Sequence, residues 1–150
     1  MVEERTEALR LANRRLDAMA HLDGLTQIPN RRRLDEYLEE SWNRCLGQER
    51  SLALIMLDVD HFKRFNDNFG HQAGDDLLVA LAERLAAQLR RSEDLVARYG
   101  GEEFLAVLPG ADADAAREVA EAIAAADSAL YAAKHGGRDR VESAPDVRSA

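Results

Sequence analysis

Arg98-Tyr99-Gly100-Gly101-Glu102-Glu103-Phe104 is the stretch that decides how this chain is read. Apolar-rich runs flank it, Leu95–Ala97 before and Phe104–Leu108 after. The pattern predicts a β-hairpin with two glycines and two carboxylates at its tip. Glycine tolerates positive φ and lets another group, such as a phosphate, come close to the backbone. Two carboxylates put negative charge where a cation can sit. Taken alone, the same residues also describe a tight surface turn with solvated acids, so the partners elsewhere in the chain must decide.

The chain has 150 residues, 46% hydrophobic and 32% charged, which suits one globular domain with a real core. A formal net charge of −8 argues against a general grip on nucleic acid. It does not exclude a nucleotide held by a few placed cations and a metal. Cys45 is the only cysteine, so an internal disulfide and a cysteine zinc cluster are excluded. His21, His61, His71 and His135 show no metal-ligand spacing. There is no apolar run of membrane-spanning length and no signal-peptide pattern, which makes a cytoplasmic setting the expectation.

Residues 1–20 read as a mostly polar helix. Val2, Leu9 and Leu16 recur every seven residues, with Thr6, Asn13 and Ala20 four after each. That is a short a/d seam with Asn13 at an a-like position, the pattern of a dimeric stalk; an ordinary amphipathic helix fits equally. Gly24 and Pro29 then break the chain, and Asn30 can cap the next helix. There Leu34, Tyr37, Leu38, Ser41, Trp42 and Cys45 form a core-facing stripe, with Trp42 and Cys45 as packing residues. Asp23 with Arg31 or Arg32 suggests a structural ion pair.

Leu52–Leu57 is a continuous apolar run, expected to be a strand buried on both faces and central in its sheet. Asp58-Val59-Asp60 then falls at the strand's C-terminal end, where α/β folds place ligands. Lys63, Asn66 and Asp67 follow on a short helix, and Gly70 to Asp75 is expected as a loop. Asp75 or Asp76 then starts a helix that buries Leu78, Leu81, Leu85 and Leu89 and ends in Arg90-Arg91. After the hairpin, Asp112 to Lys134 is alanine-rich without a breaker and predicts one long helix. Gly136-Gly137 ends it, Arg138–Val141 suggests a short strand, and residues 143–150 suggest a frayed tail.

If the strands are neighbours, Asp58 and Glu102 meet. Two hard oxygen ligands with room for water and phosphate suit Mg²⁺, and Asp60 and Glu103 can tune such a site. Lys63, Lys134 and Arg138 can neutralise phosphates, and Asn66 and Asp75 can read a base edge. The constellation points to nucleotide–Mg²⁺ phosphoryl or nucleotidyl transfer, with base and reaction left open.

These residues also match a known family. Asp23-Gly24-Leu25-Thr26, Asn30-Arg31-Arg32, Asp58-Val59-Asp60-His61-Phe62-Lys63, Asn66-Asp67, Gly70-His71, Gly74-Asp75 and the 98–104 stretch come in order. Ala129-Leu130-Tyr131 and Lys134 to Arg138 complete them. Over residues 21 to about 141 the chain resembles the GGDEF domains of bacterial diguanylate cyclases, in the GGEEF spelling.

The resemblance implies an α/β (α+β) nucleotidyl-cyclase-like fold. Its sheet contains antiparallel strands and is flanked by helices. Residues 1–20 are then a helical, coiled-coil-like signalling linker, 21–142 the catalytic domain and 143–150 a disordered tail. It further implies a homodimer that condenses two GTP into cyclic di-GMP and pyrophosphate, and a sensor domain preceding the linker in a longer parent chain. By position, Asp58, the Val59 carbonyl and Glu102 would bind Mg²⁺, or Mn²⁺ in its place. Asn66, His71 and Asp75 would lie at the guanine. The Phe62 backbone, Lys63, Lys134 and Arg138 would hold phosphates. Glu102 or Glu103 would help deprotonate the 3′-hydroxyl. Arg91 and Asp94 match the RxxD site at which the product cyclic di-GMP inhibits; locally they also read as a helix-ending arginine and a loop acid.

One departure stands out. Family members carry a hairpin and a central strand of the Thr-x-Ser-x-Gly-x-Ala type between the helix after the GGEEF hairpin and the Ala-Leu-Tyr helix. Here Ala122–Ala126 runs directly into Asp127-Ser128-Ala129-Leu130-Tyr131. The long helix is therefore expected to be two helices abutted at this join, with a sheet edge left exposed. The resulting alternative is a catalytically inactive module that binds cyclic di-GMP or GTP and regulates a partner.

Overall fold

The computed structural model describes residues Val2 to His135. The order is α1 (Val2–His21), α2 (Arg31–Gly47), β1 (Leu52–Asp58), α3 (Phe62–Phe69) and α4 (His71–Gln88). Then come β2 (Leu95–Gly100), β3 (Glu103–Pro109) and α5 (Ala113–His135). The three strands form one antiparallel sheet in the order β1-β3-β2. The hairpin is as expected, and its second strand is the middle of the sheet. All of β3 beyond Glu103 is buried because both faces are covered.

Side-chain alternation sends Val96, Phe104 and Ala106 to one face, where Leu77, Leu78, Leu81, Leu85 of α4 and Ile123 of α5 form the larger core. Ala97, Leu105 and Val107 go to the other face, against Leu34, Tyr37 and Leu38 of α2. The apolar stripe of α2 thus packs where its spacing predicts. Its first turn is capped by Asn30, whose Oδ1 accepts from the Arg33 N–H at 3.0 Å.

Several expectations are corrected. β1 is an edge strand, not a central one, and it is buried on neither face throughout. Leu54 and Met56 are 45% and 59% exposed. The apolar run was long enough for a covered strand, but among the described residues nothing pairs with its outer edge. Trp42 is 60% exposed as well, not packed as expected. Trp42, Leu38, Leu52 and Leu54, with Asp35 and Glu39, line an open groove of about 410 Å³. The Gly70–Asp75 loop does not form: α4 begins at His71, directly after Gly70 at φ 91°. α4 ends at Gln88, so Arg90 and Arg91 lie beyond the helix. Asp23 pairs with neither Arg31 nor Arg32, which bridge instead to Asp35 and Glu36 one turn on.

α5 is one continuous helix through the 126–127 join. Alanine-rich sequence with no Gly or Pro propagates helix across it without a break. Arg138, the strand suggested at Arg138–Val141 and the tail at 143–150 lie outside the described residues. In α1, Val2, Leu9 and Leu16 are 81%, 62% and 62% exposed, so the seven-residue stripe is left open among the described residues. No described helix is long and apolar enough to cross a membrane.

Candidate active site

The ladder between β1 and β3 places Asp58 opposite Glu103, and the Val59 N–H donates to the Glu102 carbonyl at 3.1 Å. β1 and β3 are neighbours, so the end of β1 and the tip of the hairpin are held together. Burial raises the Asp58 carboxyl above its ordinary 3.8, and the negative charges of Glu102 and Asp60 raise it further. Among the described residues, no Lys or Arg forms an ion pair with Asp58 or Glu102. The donor set is therefore two neighbouring carboxylates without a cation, near the backbone of the buried Val59.

That set fits a divalent metal bound by one or two carboxylates whose remaining positions go to water and phosphate. It does not fit an all-protein cage: among the described residues no three His, Cys, Asp or Glu side chains converge on one point.

Phe62 and exposed Lys63 open α3, which starts after His61 in the left-handed region at φ 56°. Asn66 lies one turn on and faces α4. A Cβ on Gly74 would stand 1.7 Å from the Asn66 Oδ1, so only glycine leaves room for that amide. Asn66 Oδ1 is buried and has no hydrogen-bond partner. Asp75 is the next residue after Gly74, and His71 lies one turn before it; both are exposed. The structure thus gathers Asn66, His71 and Asp75 at the α3–α4 junction. Lys134 is in the last turn of α5, but its side chain lies outside the described residues.

Arg91 and Asp94 are brought together, and closed on each other. The Arg91 Nε donates to both Asp94 oxygens at 3.1 Å, and its Nη2 donates to the Pro109 carbonyl at 2.9 Å. Glu93 Oε1 lies 3.3 Å from its Nη1. A shallow cavity of about 350 Å³ borders the pair between Arg90, Leu108 and the start of α5.

One arrangement at the tip is not foreseen in the sequence. Arg98, near the end of β2, donates from Nη1 to both oxygens of Asp23 at 3.2 and 3.1 Å. Its Nε and Nη2 donate to the Gly101 carbonyl at 3.0 and 2.8 Å. Asp23 also accepts from the Thr26 N–H and hydroxyl at 2.8 Å each. Burial alone would raise the Asp23 carboxyl, but Thr26 and then Arg98 outweigh it and hold it below 3.8. A signal was present: an arginine next to a glycine turn needs acceptors, and Asp23-Gly24-Leu25-Thr26 is an Asx-turn sequence.

The family model described as "Diguanylate cyclase, GGDEF domain" matches residues 20–126. The chain belongs to this family. It is similar to the diguanylate cyclase DgcP of Pseudomonas aeruginosa, 40% identical over 159 residues, covering 81% of this chain and 24% of that protein. It is also similar to the probable diguanylate cyclase DgcC of Escherichia coli, 40% identical over 103 residues, covering 69% of this chain and 28% of that one. The chain therefore spans about a quarter of the length of these curated relatives.

Among solved structures, the coiled coil and GGDEF domain of DgcB from Caulobacter crescentus, in complex with c-di-GMP, superposes with a TM-score of 0.78. The two are 27% identical, over 91% of this chain and 92% of that one. The GGDEF fold, nucleotidyl-cyclase-like with helices around an antiparallel sheet, is thus shared. The DgcP alignment spans 159 positions but takes in about 122 residues of this GGDEF chain, leaving about 37 positions opposite gaps in it. The shorter DgcC alignment needs almost none, and the family match stops at Ala126, where α5 crosses the join.

Proposed function

We propose that this GGDEF domain is the catalytic unit of a diguanylate cyclase, working as a homodimer that condenses two GTP into cyclic di-GMP and two pyrophosphates. The observation that carries this reading is the Asp58–Glu102 pair, two neighbouring carboxylates with no Lys or Arg paired to them among the described residues, at the end of β1 and the hairpin tip within the family's own motif. Asp58, Glu102 and the Val59 carbonyl are suited to hold a divalent cation, Mg²⁺ or Mn²⁺. When bound, that cation supplies charge stabilisation at the α-phosphate. Asn66, Asp75 and His71, which lie together at the α3–α4 junction, would take the guanine. The Phe62 backbone and Lys63 open a helix toward the phosphates, with Lys134 and Arg138 as further cations. Glu102 or Glu103 accepts the proton of the 3′-hydroxyl as it attacks the other nucleotide's α-phosphate and pyrophosphate leaves.

Two bound nucleotides must face each other, so the reaction needs two copies. The Val2, Leu9 and Leu16 stripe of α1, exposed among the described residues, supports pairing through a coiled-coil linker, and the DgcB structure is described as containing a coiled coil. In a longer parent chain this linker would join a sensor domain to the catalytic one. Arg91 and Asp94 would serve product inhibition by exchanging their mutual hydrogen bonds for those of cyclic di-GMP.

GTP turnover with Mg²⁺ or Mn²⁺, with the product identified by mass, tests the reading. Glu102→Gln is expected to lower turnover by at least about a hundredfold while leaving cyclic di-GMP binding at Arg91 and Asp94 intact. Turnover unchanged by that substitution would overturn the metal assignment. A second reading, a non-catalytic nucleotide-binding module, is favoured by the edge of β1, unpaired among the described residues, and by the roughly 37 positions of the DgcP alignment that fall opposite gaps in this chain. Nucleotide binding in the wild type without turnover would select it.

A further inference from the structure

The segment between α1 and α2 is fastened to the hairpin tip at three points. The Arg98 N–H donates to the Pro29 carbonyl at 2.9 Å. The Arg31 guanidinium lies 3.8 Å from the centre of the Tyr99 ring. The Arg98 guanidinium bridges the Asp23 carboxylate on one side and the Gly101 carbonyl on the other. Asn30 ties the same segment to the end of α1. Its Nδ2 donates to the Ala20 carbonyl at 2.8 Å and its N–H to the His21 carbonyl at 2.9 Å. A chain of contacts therefore runs from α1 through Asn30 and its neighbour Pro29 to Arg98, and from Arg98 to Gly101, the neighbour of Glu102.

Gly101 needs such a hold. It sits at φ 44°, and a Cβ there would meet nothing within 4 Å, so packing does not fix the turn. On its Arg98 flank the ladder slips by one residue between Arg98 and Gly100. Glu102 lies in this loosely packed turn, tied on one side through its carbonyl to Val59 and on the other only through Gly101.

We propose that Arg98 is a positioning residue, bridging Asp23 to the Gly101 carbonyl so that the placement of Glu102 follows that of the α1–α2 segment. The bridge is a property of the protein by itself; its consequence for nucleotide binding rests on the function proposed above. Arg98 and Asp23 are 18% and 19% exposed, dry enough for the pair to matter more than a surface ion pair. A guanidinium can serve two acceptors on different edges at once, whereas an ammonium is a single point of charge.

The test uses Arg98→Lys and Asp23→Asn in the full chain. It reads amide exchange at Gly100–Glu103 without ligand, affinity for a non-hydrolysable GTP analogue with Mg²⁺, and the thermal midpoint. Arg98→Lys keeps the charge facing Asp23, so the midpoint should stay close to wild type. Exchange at the tip should nevertheless quicken by about tenfold or more, and Mg²⁺-dependent affinity should fall about fivefold or more. Asp23→Asn should quicken tip exchange in the same way, and the double variant should add little to either single one. A purely structural role predicts exchange rising throughout the core along with a lowered midpoint, and that pattern overturns the proposal, as does wild-type protection of the tip in both variants. If the tip loosens as expected but the wild type binds no Mg²⁺–nucleotide, the proposed function has failed and the bridge stands.

Discussion

At Asp58 the chain accepts a local cost. A carboxylate partly removed from water and faced by Glu102 and Asp60 is easier to protonate than a free one. Because its folded value lies above its unfolded value, the ionised group disfavours the fold at neutral pH, and this penalty fades as pH falls toward 3.8. Asp58→Asn should therefore raise the midpoint of metal-free unfolding at pH 7 while abolishing Mg²⁺-dependent nucleotide binding, both measurable by thermal scans with and without Mg²⁺–GTP. Gly74 poses the opposite problem, a missing side chain that is needed. Gly74→Ala must push the Asn66 amide aside, since the new methyl would stand 1.7 Å from its oxygen. Guanine-nucleotide affinity should drop by about tenfold or more, read by calorimetry, with secondary structure unchanged by circular dichroism. Asn66 was recognisable from its motif, but its dependence on Gly74 was not, because close approach between two helices leaves no periodic mark.

Among the elements, the hairpin, α2 and α4 were readable because each repeats its apolar residues with the period of its own geometry. Arg98 and Asp23 escaped that reading. They stand 75 residues apart, and a lone charged residue looks the same in sequence whether it faces solvent or a partner. Their pairing has a consequence in acid. Asp23 is held below 3.8 in the fold, so the stability it adds is fully present above that value and is lost as pH falls through its lower folded value. Asp23→Asn should remove this part of the acid limb, making urea midpoints between about pH 5 and pH 2 less steep than in the wild type. β1 was misjudged for a different reason. A continuous apolar run states what a strand could bury, and the neighbouring strand decides what it does bury.

For the whole molecule, the feature that matters most is where the described sheet stops. Among the described residues, β1 offers an unpaired edge with Leu54 and Met56 on an open face, a template for pairing with another chain. Met56→Lys should place a charge in water there. It should reduce concentration-dependent association by light scattering and change stability by less than about 0.5 kcal/mol. The family match ends at Ala126, and the DgcP alignment opens gaps amounting to about 37 positions.

Trp42 is the sole tryptophan, and it stands in the groove beside that edge. All of the indole emission of this protein therefore originates from one place. A strand, a second copy or a small molecule settling over the groove would shift its colour toward the blue and shield it from quenchers, whereas nucleotide arriving at the far end of β1 would leave it dark to the event. The chain carries its own optical label for its most unusual surface.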